Sequence, residues 1–145
     1  MTQTAKITFV LDTTDVTAEL GFEAWIDDRK FYDTDHVTGP EHLQVDISDD
    51  DASHELRFVL KNKTIEHTRI DEAGNIVADA RLKITNIAFD EIQLGNMVIE
   101  QAIYTHNFNN TGTAVQNKFY GEIGCNGTVS FKFNSPVYLW LLEYM

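Results

Sequence analysis

The chain is nearly without cysteine: Cys125 is the sole thiol in 145 residues. An intrachain disulfide is therefore excluded, as is a zinc site built on cysteines, and a single thiol fits a reducing compartment. Proline is as scarce, with two residues, and no low-complexity tract, internal repeat or linker divides the sequence. Basic residues are few: 11 Lys and Arg stand against 23 Asp and Glu, for a formal net charge of −12. Duplex binding needs a basic face, so nucleic acid is not an expected partner. No apolar run reaches the length of a membrane span, and Met1-Thr2-Gln3-Thr4-Ala5-Lys6 lacks the basic-then-apolar pattern of a signal peptide. Catalytic signatures are missing too. Ser48, Ser53, Ser130 and Ser135 stand in no Gly-x-Ser-x-Gly context. The five histidines, His36, His42, His54, His67 and His106, lack the i, i+4 spacing of a helical zinc pair. The expectation is a non-enzyme.

What the chain does have is alternation. Ile7, Phe9 and Leu11 share one face, and Leu20, Phe22, Ala24 and Ile26 make a second row. Asp27-Asp28 then reads as the two-residue turn of a hairpin into Arg29-Lys30-Phe31-Tyr32. Further rows follow: Leu43, Val45 and Ile47; Leu56, Phe58 and Leu60; Leu82, Ile84 and Asn86; and Gly127 to Phe133. Met97 to Tyr104 reads as a strand, Phe119-Tyr120 as the start of another, and residues 106–118 as a polar loop. Strand signals recur about every ten residues with no long 3.6-residue period between them, which predicts an all-β, antiparallel β-sandwich of jelly-roll type. Residues 1–136 form one such domain on this reading. The remaining segment, 137–145, holds eight apolar or aromatic side chains and one charge. It is expected to be a docking strand or tail, buried against the core or between subunits, with Tyr138, Leu139, Trp140, Leu142 and Tyr144 as the assembly interface.

Two resemblances bear on function. Gly21 to Asp28, Leu43 to Ile47, Glu55 to Asn62 and Ala80 to Ile92 occur in an order that resembles jelly-roll carbohydrate-binding modules, especially calcium-dependent xylan-binding types. That resemblance implies binding of a cell-surface or plant-type glycan, with calcium held by loop carboxylates. The segments His54 to Phe58, Glu66 to Val77, Gly124 to Val129 and Pro136 to Glu143 resemble small virion proteins of marine tailed phages, cyanophage myoviruses among them. This second resemblance implies a non-enzymatic structural component of a head, tail or baseplate, such as a decoration protein. It would be present as a homo-oligomer or in many copies beside other virion proteins, in a particle assembled in the host cytoplasm. The virion role is the primary expectation and the carbohydrate-binding module the alternative.

The candidate sites follow. Asp49, Asp50 and Asp51 place hard oxygen ligands in one loop, which suits calcium; Asp46 and Asp90 could join them, and a solvated acidic turn is the plain alternative. Asp33, Asp35 and His36 form a second O/N cluster. Trp25, Tyr32, Tyr104, Phe108 and Tyr120 offer flat aromatic faces for a sugar ring or a partner, or pack in the core.

Overall fold

The computed structural model describes residues 4–48, 52–63, 68–70, 72–74, 76–106, 113–135 and 137–144. Thirteen strands and two short helices are assigned among them. The strands are β1 (Thr4–Thr13), β2 (Gly21–Ile26), β3 (Arg29–Thr34), β4 (Glu41–Ser48), β5 (Ser53–Lys61), β6 (Thr68–Ile70), β7 (Ile76–Asp79), β8 (Leu82–Phe89) and β9 (Ile92–Gln93). After helix α1 (Asn96–Gln101) come β10 (Ile103–His106), β11 (Val115–Lys118), β12 (Glu122–Ile123), β13 (Gly127–Asn134) and helix α2 (Val137–Tyr144).

Two large antiparallel sheets and a separate two-stranded β6–β7 sheet result. One large sheet runs β12-β8-β1-β4, with β9 also on β8, and the other runs β11-β10-β13-β5-β2-β3. Successive side chains of a strand point to opposite faces, so alternation puts one row of each strand into the space between sheets. In β1 the inward row is Ala5, Ile7, Phe9 and Leu11, all buried. In the second sheet the register sets Phe22 beside Leu60, Ala24 beside Phe58 and Ile26 beside Leu56. Beyond them Val129 lies beside Phe58, and Phe131 beside Leu56. Aromatic pairs join the layers, with ring centroids 4.9 Å apart for Phe9 and Phe58 and 4.8 Å for Phe89 and Phe133. The antiparallel β-sandwich expected from the sequence is the observed fold.

Four local readings are corrected. The row Leu82, Ile84 and Asn86 does not continue. Thr8 pairs with Ala88 but Val10 with Thr85, so β8 carries one extra residue, and Asn86 sits exposed at φ 56. The bulge moves the buried row to Ile87 and Phe89. Met97 to Tyr104 is a single helical turn followed by a strand: Met97, Val98 and Ala102 are buried, and Ala102 N–H donates to Val98 O at 2.8 Å. Packing overrides the β-branched composition there. Inside the expected polar loop, Val115–Lys118 forms β11, paired to β10 from Ile103↔Lys118 to His106↔Val115, whereas Phe119-Tyr120 is not strand. The C-terminal segment, expected as a docking strand or tail, is not a strand but helix α2. It lays Trp140 and Leu141 on the chain's own core, with the Trp140 ring 5.6 Å from Phe131 and 6.1 Å from Phe89. Leu139 and Leu142, 61% and 72% exposed, face away from that core.

Candidate functional site

One end of the sandwich gathers the start of β5, the β2–β3 turn and the ends of β4 and β13. Three adjoining hollows of about 720, 570 and 420 Å³ form a groove across it. The first and second share Asp27 and His54; the second and third share Ser53, Asn134 and Trp140. Ile26, Ile47, Phe133 and Trp140 supply apolar lining, while Asp28, Arg29, Asp46, Gln101, Lys132 and Glu143 contribute polar and charged groups.

The groove is held together by the β2–β3 turn. Asp27 takes the left-handed conformation at φ 53, which Asp tolerates better than most residues. Its carboxylate accepts from Glu55 N–H at 2.9 Å and from the His54 ring N–H at 2.9 Å. Arg57 donates to the Asp27 carbonyl at 2.8 Å. On the far side of the imidazole, Nε2 lies 3.2 Å from Ser135 Oγ. The row Asp27, His54, Ser135 has the connectivity of a hydrolase triad. Its hydroxyl, however, belongs to a residue only 3% exposed and also lies within hydrogen-bond range of the Ala52 backbone, at 3.3 Å from N and 3.2 Å from O. The row ties three strand ends to the foot of α2.

The residues flanking the acidic loop line this groove: Ser48 borders the first hollow, and Ala52 and Ser53 the last. Asp49, Asp50 and Asp51 themselves lie outside the described residues, as does Phe108. Among the described residues no group of three His, Cys, Asp or Glu side chains is placed to hold a metal ion. Asp46 joins the groove and its carbonyl accepts from Arg29 at 3.3 Å. Asp90 accepts the Lys6 N–H at 2.7 Å.

The second O/N cluster holds an ammonium. Lys61 Nζ lies 2.5 Å from Asp33, 3.1 Å from Glu23 and 3.6 Å from Asp35. The hydrogen bond from Lys61 holds the Asp33 carboxyl below its usual range, and the Asp33 bond in turn raises the Lys61 ammonium. Glu23 is lowered chiefly by the Trp25 indole N–H donating to it at 2.9 Å. His36 is turned away, its Nε2 2.8 Å from Val16 O.

The described aromatic candidates, Trp25, Tyr32, Tyr104 and Tyr120, do not converge. Trp25 is half-buried on the outer face of the six-stranded sheet, with the Arg57 guanidinium 5.1 Å from its ring centre. Tyr32 donates to Glu41, and burial followed by that carboxylate pushes its phenol up to about 12. Tyr104 is 8% exposed, donates to Cys125 O at 2.5 Å and is likewise raised to about 12, mainly by burial. Burial also raises the Cys125 thiol. Tyr120, in contrast, is 70% exposed. The side chains of Tyr138 and Tyr144 are outside the described set, and Trp140 reaches the groove from the core. Asp27, His54 and Asn134 were not singled out as site residues from the sequence. The Asp27-Asp28 turn was the available signal, because a hairpin tip near a second loop builds an end groove.

The two-sheet β-sandwich has counterparts in fold among solved structures. Two solved structures match the chain at this level. One is vCBM60 in its selenomethionine form, described with two families of calcium-dependent carbohydrate-binding modules. It matches with a TM-score of 0.55 and 12% identity over 88% of this chain and 89% of that one. The other is vCBM60 in complex with galactobiose, at TM-score 0.50 and 14% identity over 87% and 96%. Neither match supports a virion role. No protein-family model matches the chain, and no curated protein does.

Proposed function

We propose that this chain is a non-catalytic carbohydrate-binding module that takes a cell-surface or plant-type glycan in the end groove. The observation that carries the reading is the groove's chemistry: apolar floor from Ile26, Ile47 and Trp140, with Asp28, Arg29 and Asn134 able to exchange hydrogen bonds with hydroxyls. Sugars present both kinds of surface, C–H faces and hydroxyl edges, so such a mixed lining suits them. The reading includes calcium held by Asp49, Asp50 and Asp51, supported by the two flanks of that loop bordering the groove. Hard carboxylate oxygens are the ligands calcium prefers. A glycan array probed with and without chelator tests this. Binding that needs calcium and fails in Arg29→Ala is expected; a chain that binds no glycan with calcium present overturns the reading.

The exposed Leu139 and Leu142 on α2 favour a second reading. On that reading α2 docks the chain in many copies into a virion assembled in the host cytoplasm. A mass-spectrometric inventory of purified virions tests it, with absence of the chain counting against it.

A further inference from the structure

We propose that a second cleft, on the flank of the first sheet, binds a neutral pyranose ring without any metal; this rests on the carbohydrate-binding reading above and adds a site to it. The cleft lies between β8, α1 and the residues leading into β12. Its volume is about 300 Å³, at the lower edge of the usual range for small-molecule sites. It shares no lining residue with the end groove. Its wall is apolar, from Ile84, Ile87, Val98 and Phe119, and its polar side chains are the neutral Thr85, Asn86 and Gln93. Among the described residues no charged one lines it, in a chain that is 23% charged. That composition selects against ions, because an ionic ligand would lose hydration with no opposite charge in return.

Tyr120 completes the site. Its ring is 70% exposed and lies on the cleft lining, where an aromatic face can stack on the C–H side of a sugar. The exposed Asn86 and Gln93 on the same lining supply amide donors and acceptors that hydroxyls require. The backbone around the cleft is unusual at three positions. Asn86 sits at φ 56 in the β8 bulge, Gly95 at φ 55 and ψ −129 before α1, and Gly121 at φ 97, its carbonyl accepting from Ile84 N–H at 2.8 Å. Glycine takes such conformations without strain, so of the three only Asn86 carries a backbone cost, and a modest one for Asn. Here the bulge exposes Asn86 instead of burying it.

The test titrates the full chain with galactobiose, xylobiose and cellobiose, following backbone amides by NMR in millimolar calcium and again in excess chelator. In chelator, the Gly95 and Gly121 amides are expected to shift with at least one sugar. Tyr120→Ala is expected to weaken that binding about tenfold, and Tyr120→Phe to stay within about threefold, since the ring is kept. Ile99→Trp, which fills the cleft, gives a second route to the same loss, checked against an unchanged fold by the remaining amide shifts. Sugar binding that chelator abolishes, or that Tyr120→Ala and Ile99→Trp both leave intact, overturns the cleft while the groove reading stands. No shift of the cleft amides with any of the three sugars, with or without calcium, also overturns the cleft, while the glycan array decides the groove.

Discussion

The end groove and the flank cleft are both concave, but they are built from opposite materials. The groove carries Asp28, Arg29, Asp46, Lys132 and Glu143, whereas the described residues of the cleft carry no charge. The groove is assembled where loops cross from one sheet to the other, and its walls are pinned by Asp27 and His54. The cleft is assembled beside a single strand, where one extra residue in β8 and one turn of helix leave space between them. The difference teaches that loop-rich ends collect charge because charged side chains stay hydrated there, while a gap beside a bulge inherits the apolar lining of the core. A ligand requiring cations or charged contacts belongs to the first place, and a neutral ring to the second.

Trp140→Ala breaks this contrast most severely. Trp140 is 4% exposed and both lines the groove and packs on Phe89, Phe131 and Phe133. Its loss is expected to cost about 3–5 kcal/mol of stability. Denaturant titration should show that loss, while any variant still folded at low temperature keeps the cleft's amide signals. Asp27→Ala comes next. It leaves Glu55 N–H and the His54 ring without their carboxylate and puts a methyl side chain at φ 53. About 2–3 kcal/mol is expected, with Asp27→Gly recovering roughly 1 kcal/mol because glycine tolerates the backbone. Equal stability of the two variants would show that the turn's conformation is not part of the cost.

Gly121→Ala sharpens the comparison from the other side. The new Cβ would lie 3.5 Å from Ile84 O, an ordinary contact, so the cost is backbone strain at φ +97. About 1–2 kcal/mol is expected, with altered shifts in the cleft and none in the groove. The smallest effect belongs to Lys61→Met. The folded pKa values of Glu23 and Asp33 are lowered, so their contribution is present above the unfolded carboxylate value, about 4, and fades as pH falls through the folded one. The folded pKa of Lys61 is raised, so its contribution is present below its unfolded value, about 10.4, and fades as pH rises through the folded one. Melting curves should therefore separate wild type from variant between about pH 5 and 10, and converge in acid. Parallel curves down to about pH 2 would show that the ion pairs add nothing.

Much of this could be read from the sequence. Alternation in Ile7-Phe9-Leu11, in Phe22-Ala24-Ile26 and in Leu56-Phe58-Leu60 named the buried rows, and Asp27-Asp28 named the hairpin turn that now pins the groove. Asn86 carried a further signal: an amide where the row calls for an apolar side chain marks a position that leaves the pleat. The Ser135-Pro136 pair before the terminal apolar run is a helix-start pattern, and α2 follows it. Tyr120 was named among the aromatic candidates without its surroundings, and the carboxylates of Asp33 and Asp35 without the lysine that lies between them.

By itself, then, the sequence determined the two-sheet class and the inward rows, because side-chain direction in a strand depends only on parity along the chain. It also determined the acidic surface and the absence of a disulfide framework. Tertiary structure alone decided which faces meet solvent beyond that parity. The bulge in β8 exists because β1 fixes the register on both sides of Asn86. Helix α1 forms because Met97, Val98 and Ala102 find a buried surface in that geometry. Lys61 meets Asp33 only because β5 and β3 flank β2. Each of these contacts joins residues distant in the chain or depends on the packing of a neighbouring element, and local pattern carries no information about either.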